Sequence, residues 1–190
     1  MKLLVVRHAQ STWNARHRWA GQRDPGLSAE GRAAAAALAT RLGALRSPAG
    51  AVASSDLRRA RQTAGILAQA LRLPPPTILA GLREWDAGEW TARTSRQIEA
   101  GWPGELDRWR RGELVDPPGS ELWDAFTDRV LAALTEVAGM GVAAPVVVVA
   151  HQGVLRALEH HFGVRPRPAA GLGGVWLRTA GRQMRWAGHW

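Results

Sequence analysis

The chain has 190 residues, of which 46% are hydrophobic and 22% charged, a balance that suits one globular domain with a sizeable core and excludes global disorder. Its 25 basic residues against 16 acidic ones give a net charge of +9, and 24 of the 25 are arginine. Ten Trp stand beside no Tyr and no Cys, and the lack of Cys removes disulfides, thiolate metal sites and a cysteine nucleophile together.

Residues 2–6 are a Leu and β-branched run that reads as a buried strand. Residues 9–25 have no helical period and hold Asn14, Gly21, Asp24 and Pro25, so a long loop is expected. Ser28 has the position of an N-cap, with Glu30 in the first turn and an Ala/Leu helix over 33–45. Residues 51–54 fit a short strand, and Asp56 is the expected cap of a second helix over 57–71, which stops before three prolines. Residues 77–82 read as a weaker strand.

From 84 to 119 the pattern is irregular, with four Trp and several Gly and Pro, as in an insertion or lid near 85–119. Ser120 opens the clearest amphipathic helix, 122–137, with Leu122, Ala125, Phe126, Val130, Ala133, Leu134 and Val137 on one face. Residues 146–149 read as a fully buried strand, followed by a helix near 154–162. Two edge-like strands, 175–179 and 183–186, complete the pattern. Strands alternating with helices predict an α/β fold with a mainly parallel sheet, in one domain over 1–190.

The apolar run at 3–6 is too short for a signal-peptide core, and Arg7 and His8 end it. The run at 145–150 is far below a membrane span. A soluble, cytoplasmic protein without membrane contact is therefore expected. The charge has two readings, a surface for an anionic partner or a compositional bias that also shows in the 34 Ala.

Two places carry the chemistry. The first strand runs directly into Arg7-His8, and the strand 146–149 runs, one residue on, into His151. Each His lies just past the C-terminal end of a buried strand, the rim where open α/β sheets bind ligands. The helix after the second strand adds Arg58, Arg59 and Arg61, and its N-terminus offers free N–H groups to the same rim. Arg58 and Arg61 read as solvated.

Glu84 brings a carboxyl to that rim, and Trp85 and Trp90 beside it offer the burial that keeps a carboxyl protonated. Together these groups suit phosphoryl transfer. An imidazole nitrogen attacks phosphorus, Arg forks hold the non-bridging oxygens, and a carboxyl protonates the leaving oxygen. There is no P-loop, no G-x-S-x-G elbow, and no carboxylate pair or His spacing that requires a metal; His160-His161 reads as surface or packing.

At this point the chain resembles the histidine phosphatase superfamily, in its phosphoglycerate-mutase-like branch. The resemblance rests on Val6-Arg7-His8-Ala9-Gln10-Ser11-Thr12-Trp13-Asn14, Leu27-Ser28-Ala29-Glu30-Gly31 and the stretch from Ser54 to Ala64. It continues through Leu82 to Trp90, Pro117-Pro118-Gly119-Ser120-Glu121, and Val149 to Arg156, so that the motifs appear in family order up to about residue 160. It implies a three-layer α/β/α sandwich and a phosphohistidine carried on Nε2 of His8. Arg7, Arg59 and His151 would clamp the phosphoryl group, with a further hydrogen bond from Asn14. Glu84 would protonate the leaving oxygen and then activate water. Gly21 and Gln152 would belong to the phosphate and substrate pocket.

Two departures stand out. The family's Arg-His-Gly is Arg7-His8-Ala9 here, and Gln152 replaces a Gly, either offering an amide to substrate or starting the helix. The glycolytic mutases of the family place a basic residue right after the acid, where this chain has Trp85. A phosphatase acting on a less acidic or aromatic-bearing phosphate ester is therefore expected, as a monomer or homodimer without cofactor, metal or nucleic-acid partner. Trp13, Trp19, Trp90 and Trp102 are the expected sources of specificity. A phosphoglycerate mutase is the alternative, and an inactive Arg-rich binding module the more remote one.

Overall fold

A computed structural model of the chain describes residues 1–45, 47–167, 171–181 and 183–190. Its strands are β1 (Lys2–Arg7), β2 (Ala51–Ser54), β3 (Thr77–Ile78), β4 (Val146–Ala150), β5 (Gly174–Ala180) and β6 (Gln183–His189). They form a sheet in the order β3-β2-β4-β1-β5-β6. β4 is parallel to both neighbours, with Val149 beside Val6 of β1 and Ser54 of β2, and β2 is parallel to β3. β5 and β6 are antiparallel additions on the β1 side. The sheet is thus mostly parallel.

The two-residue period of β1 sorts its side chains between two cores. Leu4 and Val6 pack with Val147, Val149 and the helices α1 (Ala29–Gly43) and α2 (Arg58–Ala70). Leu3 and Val5 face the other way, toward α5 (Trp123–Ala138) and α6 (Gln152–His161). Two helical layers therefore enclose the sheet, and every residue of β4 is buried. Among the described residues no helix is long and apolar enough to cross a membrane.

Several elements depart from expectation for physical reasons. α1 begins four residues earlier than its Ala/Leu run, because Ser28 does cap it, accepting from Gly31 N at 3.0 Å. Asp56 does not cap α2; it turns outward to pair with Arg83. The free amides at that helix start go elsewhere: Leu57 N donates to Ser55 Oγ at 3.3 Å, and Arg58 N donates to Asp24 from the loop after β1. A carboxylate brought by tertiary structure has taken the place of the local one.

The expected strand at 77–82 contracts to Thr77–Ile78, because Ala80–Leu82 coil into a 3-10 turn against α5. In α5 the buried face is Trp123, Phe126, Val130, Ala133, Leu134 and Val137. Leu122 is instead 73% exposed as the helix N-cap, and Ala125 is exposed. β5 is not an edge strand, since it lies between β1 and β6. Segment 85–119 holds a 3-10 turn at Gly88–Trp90 and two short helices, α3 (Ser95–Gly101) and α4 (Glu105–Arg111). Its Ile98, Leu106 and Trp109 join the core on the α5–α6 side.

Candidate active site

Three parallel strands end side by side, and each delivers a residue to the same rim. His8 follows β1 and donates its backbone N–H to Ala150 O at 2.9 Å; Ser55 follows β2 and donates its own to Val149 O at 3.0 Å; His151 follows β4. The loop carrying His8 is braced from two helices. Ala9 N donates to Thr63 Oγ1 of α2 at 3.1 Å, and Ser28 N donates to Gln10 O at 3.0 Å. A Cβ on Gly31 would lie 2.1 Å from Gln10 O, so the first turn of α1 reaches this loop only because residue 31 is glycine. The methyl of Ala9 is wholly buried against Leu27 and Ala35.

His8 is held in one tautomer. Its Nδ1 lies 2.6 Å from the Ala9 carbonyl, which can only accept, so Nδ1 carries the proton. Arg59 Nε, which can only donate, lies 3.1 Å from His8 Nε2, so that nitrogen presents its lone pair. Burial, then the charges of Arg59 and Arg7, hold the imidazole well below its ordinary pKa, against the Ala9 carbonyl. The ring is neutral at neutral pH, with a lone pair on Nε2.

Arg59 is 1% exposed and locked from behind, donating from Nη1 to Arg23 O at 2.6 Å and from Nη2 to Gly21 O at 2.8 Å. Gly21 meets that geometry at φ +47, where a Cβ would also lie 2.6 Å from Thr91 Oγ1. Burial lowers the Arg59 pKa to about 10, with Glu84 and Asp24 opposing, so the group remains a cation at neutral pH. Burial likewise lowers Arg7, again opposed by Glu84. Arg7 and Arg59 line a cleft of about 260 Å³ together with His8, Asn14, Gly21, Glu84 and Gln152.

His151 sits behind His8 rather than in the cleft wall, fully buried, with ring centroids 5.2 Å apart. Its Nε2 is 2.8 Å from Ser55 Oγ, while its Nδ1 is buried without a hydrogen-bond partner. Burial, Arg59, His8 and Arg7 push its pKa well down. Asn14 Oδ1 accepts from Ser11 N and Oγ, which leaves its Nδ2 as the end available to the cleft.

Glu84 meets the N-terminus of α6. Its Oε1 accepts from Trp85 N and Gly153 N, both at 2.9 Å. Burial raises the carboxyl above its ordinary range, opposed first by Arg59, then by the Trp85 amide, Arg7 and the Gly153 amide. A Cβ on Gly153 would lie 2.2 Å from Oε1 and 3.1 Å from Trp85 Cβ. Gly153→Ala is therefore expected to displace the carboxyl and lower kcat/KM for an alkyl phosphate by about 10²-fold, the scale of a 1 Å misplacement. Wild-type steady-state constants in that variant would contradict this geometry.

The site residues named from the sequence do converge, with His151 displaced one layer back. Gln152 both starts α6 and lines the cleft. Ser55, Gly153 and the carbonyls of Gly21 and Arg23 were missed as partners; Ser55 at a strand end was the signal available for one of them. Among the tryptophans expected to set specificity, Trp19 does line the cleft, joined by Trp85 and Trp109. Trp90 is instead wholly buried, Trp13 lies beside Arg18, and Trp102 lies beneath Arg93. Among the described residues no group of three or more His, Asp or Glu is placed to hold a metal ion.

The sequence profile of the histidine phosphatase superfamily (branch 1) matches residues 3–171. A protein named metal-independent phosphoserine phosphatase, from Arabidopsis thaliana, is 35% identical over 83% of this chain; the match spans 66%, just under two thirds, of that relative's length. A 2,3-bisphosphoglycerate-dependent phosphoglycerate mutase of Methylobacterium sp. is 35% identical over 82% of this chain and 77% of its own. Among solved structures, a mycobacterial glucosyl-3-phosphoglycerate phosphatase complexed with VO3 superposes with a TM-score of 0.83 at 30% identity, covering 98% of this chain and 97% of that one.

Proposed function

The chain belongs to the histidine phosphatase superfamily, and on that premise we propose that it is a phosphoglycerate-mutase-like phosphomonoesterase working through a phosphohistidine on His8, with Glu84 as acid and base. The observation that carries the reading is the fixed tautomer of His8, with Nδ1–H given to Ala9 O and the Nε2 lone pair facing Arg59.

In the first step the hydrogen bond from Arg59 Nε–H passes from His8 Nε2 to a phosphoryl oxygen, the freed Nε2 lone pair attacks phosphorus, the ester P–O bond breaks, and the Glu84 proton goes to the leaving oxygen. Arg7, Arg59 and the Asn14 amide hold the non-bridging oxygens, while His151 supports the His8 ring from behind rather than clamping the phosphoryl group. The positive charge that develops on the imidazole is stabilised by the Ala9 carbonyl. In the second step a water attacks phosphorus, gives its proton to the Glu84 carboxylate, and the Nε2–P bond breaks to release orthophosphate.

This chemistry calls on no metal or organic cofactor, and its partner is a small phosphate ester. The Cys-free composition suits a cytoplasmic setting. Relatives bearing phosphatase names and others bearing mutase names support either second acceptor, water or a sugar-acid hydroxyl. Trp85 favours water. Its indole stacks on Trp109 and Trp123, and its Nε1 donates to Glu121 O at 2.7 Å, so no cation follows the acid to hold a substrate carboxylate. Phosphate release from a panel of monoesters should therefore exceed isomerisation of 3-phosphoglycerate when both are assayed on one preparation. Isomerisation dominating over hydrolysis would make the protein a mutase.

A further inference from the structure

The motif Pro117-Pro118-Gly119-Ser120-Glu121 and the half-buried Arg129 have so far no part in the chemistry. The structure ties both to Glu84. Arg129, on α5, forks onto Glu121, donating from Nε to Oε1 at 2.6 Å and from Nη2 to Oε2 at 2.7 Å. The same guanidinium donates from Nη1 to Gly81 O and Arg83 O, each at 2.9 Å, and from Nη2 to the Glu84 carbonyl at 3.1 Å. Its Cζ lies 4.7 Å from the centroid of the Phe126 ring, one turn earlier in the helix.

Two further contacts close this arrangement. A Cβ on Gly81 would lie 2.9 Å from Ala133 Cβ and 3.0 Å from Arg129 O, so glycine lets the Ala80–Leu82 turn approach α5 closely enough for the carbonyls to be reached. Glu121 grips the residues after the acid. Its carbonyl accepts from Trp85 Nε1, its N–H donates to Asp86 O at 3.0 Å, and its Oε2 lies 3.4 Å from Asp86 N.

We propose that Arg129, oriented by Glu121, is a positioning residue for the Glu84 acid: it holds the main chain of residue 84 from α5 while α6 holds the carboxyl through Gly153 N. With both ends anchored, the carboxyl keeps its distance from the leaving oxygen. A general acid depends on that distance far more than a phosphate clamp does. The Arg7 and Arg59 forks stand on β1 and α2, outside the Arg129 contacts; the Glu84 carbonyl also accepts from Gln22 Nε2 at 3.3 Å, between the Gly21 and Arg23 carbonyls that hold Arg59. The proposal rests on the acid role assigned to Glu84 above.

The test separates alignment of the acid from general integrity of the site by varying the leaving group. An aryl oxide departs without a proton, whereas an alkoxide requires one, and kcat/KM reports the step in which it leaves. Arg129→Met is expected to lower kcat/KM for glycerol 2-phosphate about 30-fold and for p-nitrophenyl phosphate less than about threefold. Glu121→Gln, which keeps the side-chain shape, should show the same selectivity to a smaller degree and carries the test should Arg129→Met fail to fold. In a Glu84→Gln background, Arg129→Met should add no further alkyl-selective loss.

Equal losses on both esters, or an additional alkyl-selective loss in that background, would overturn the proposal. A selective loss in Glu84→Gln with a flat one in Arg129→Met and Glu121→Gln removes the positioning role alone. A flat loss in Glu84→Gln itself removes the acid role, and this proposal with it.

Discussion

His8→Ala is expected to lower kcat/KM for every phosphate monoester by at least about 10⁴-fold, the scale on which loss of a covalent nucleophile registers. His151, whose ring centroid lies 5.2 Å from that of His8, does not replace it, because it is fully buried and its Nε2 is engaged with Ser55 Oγ. The Ser11 hydroxyl is committed to Asn14. The phosphate clamp survives the substitution, because Arg59 is held by the carbonyls of Gly21 and Arg23 rather than by His8 alone. The variant should therefore still bind orthophosphate competitively while failing to turn over, which steady-state assays and a binding titration separate. Retention of more than about a hundredth of wild-type turnover would be incompatible with His8 as the nucleophile.

Glu84→Gln is expected to cost about 10²–10⁴-fold in kcat/KM on an alkyl phosphate and to reshape its pH profile. The first step needs Glu84 protonated. Burial raises its pKa, so the protonated fraction falls only as pH climbs through that raised value, and wild-type activity declines on the alkaline side. His8 must be neutral, and its pKa is well below the ordinary imidazole value, so the acidic limb lies at low pH. Glutamine cannot titrate, and the variant should lose the alkaline limb belonging to Glu84. A later fall near pH 10 belongs to Arg59, whose pKa is lowered to about 10. A Glu84→Gln profile that keeps the wild-type alkaline limb would remove the acid role from this residue.

The rim itself was legible before any coordinates. Buried runs ending in Arg7-His8 and His151 placed those groups at strand ends that the parallel pairing of β1 and β4 sets side by side, whereas Glu84 reaches the cleft beyond a 3-10 turn and not from the end of the expected strand. What could not be read is what depends on the meeting of distant segments. Asp24 takes over the start of α2, and Gly153 yields to the Glu84 carboxylate 69 positions away. Arg129 gathers the carbonyls of residues 81, 83 and 84. None of these pairings has a local period or a cap signature.

The tryptophans show the same limit from the other side. Of Trp13, Trp19, Trp90 and Trp102, the expected binding wall, Trp19 lines the cleft, whereas Trp85, Trp109 and Trp123 stack into the core on the α5–α6 side with centroids 4.8–5.4 Å apart. They supply the apolar setting that raises the acid, as expected of Trp85, and Trp85 and Trp109 also line the cleft. Likewise the +9 charge resolves into a few cations with assigned work, Arg7, Arg59 and Arg129, and a majority without.

The central claim is a covalent phosphohistidine, and rapid quench into alkali during turnover of a phosphate ester, followed by peptide mapping by mass spectrometry, addresses it most directly. Phosphate should appear on the peptide carrying His8, at Nε2, should be lost on brief acid treatment, and should be absent from His8→Ala. Phosphate on any other residue, or full turnover with no phosphorylated enzyme trapped in either wild type or Glu84→Gln, would contradict it.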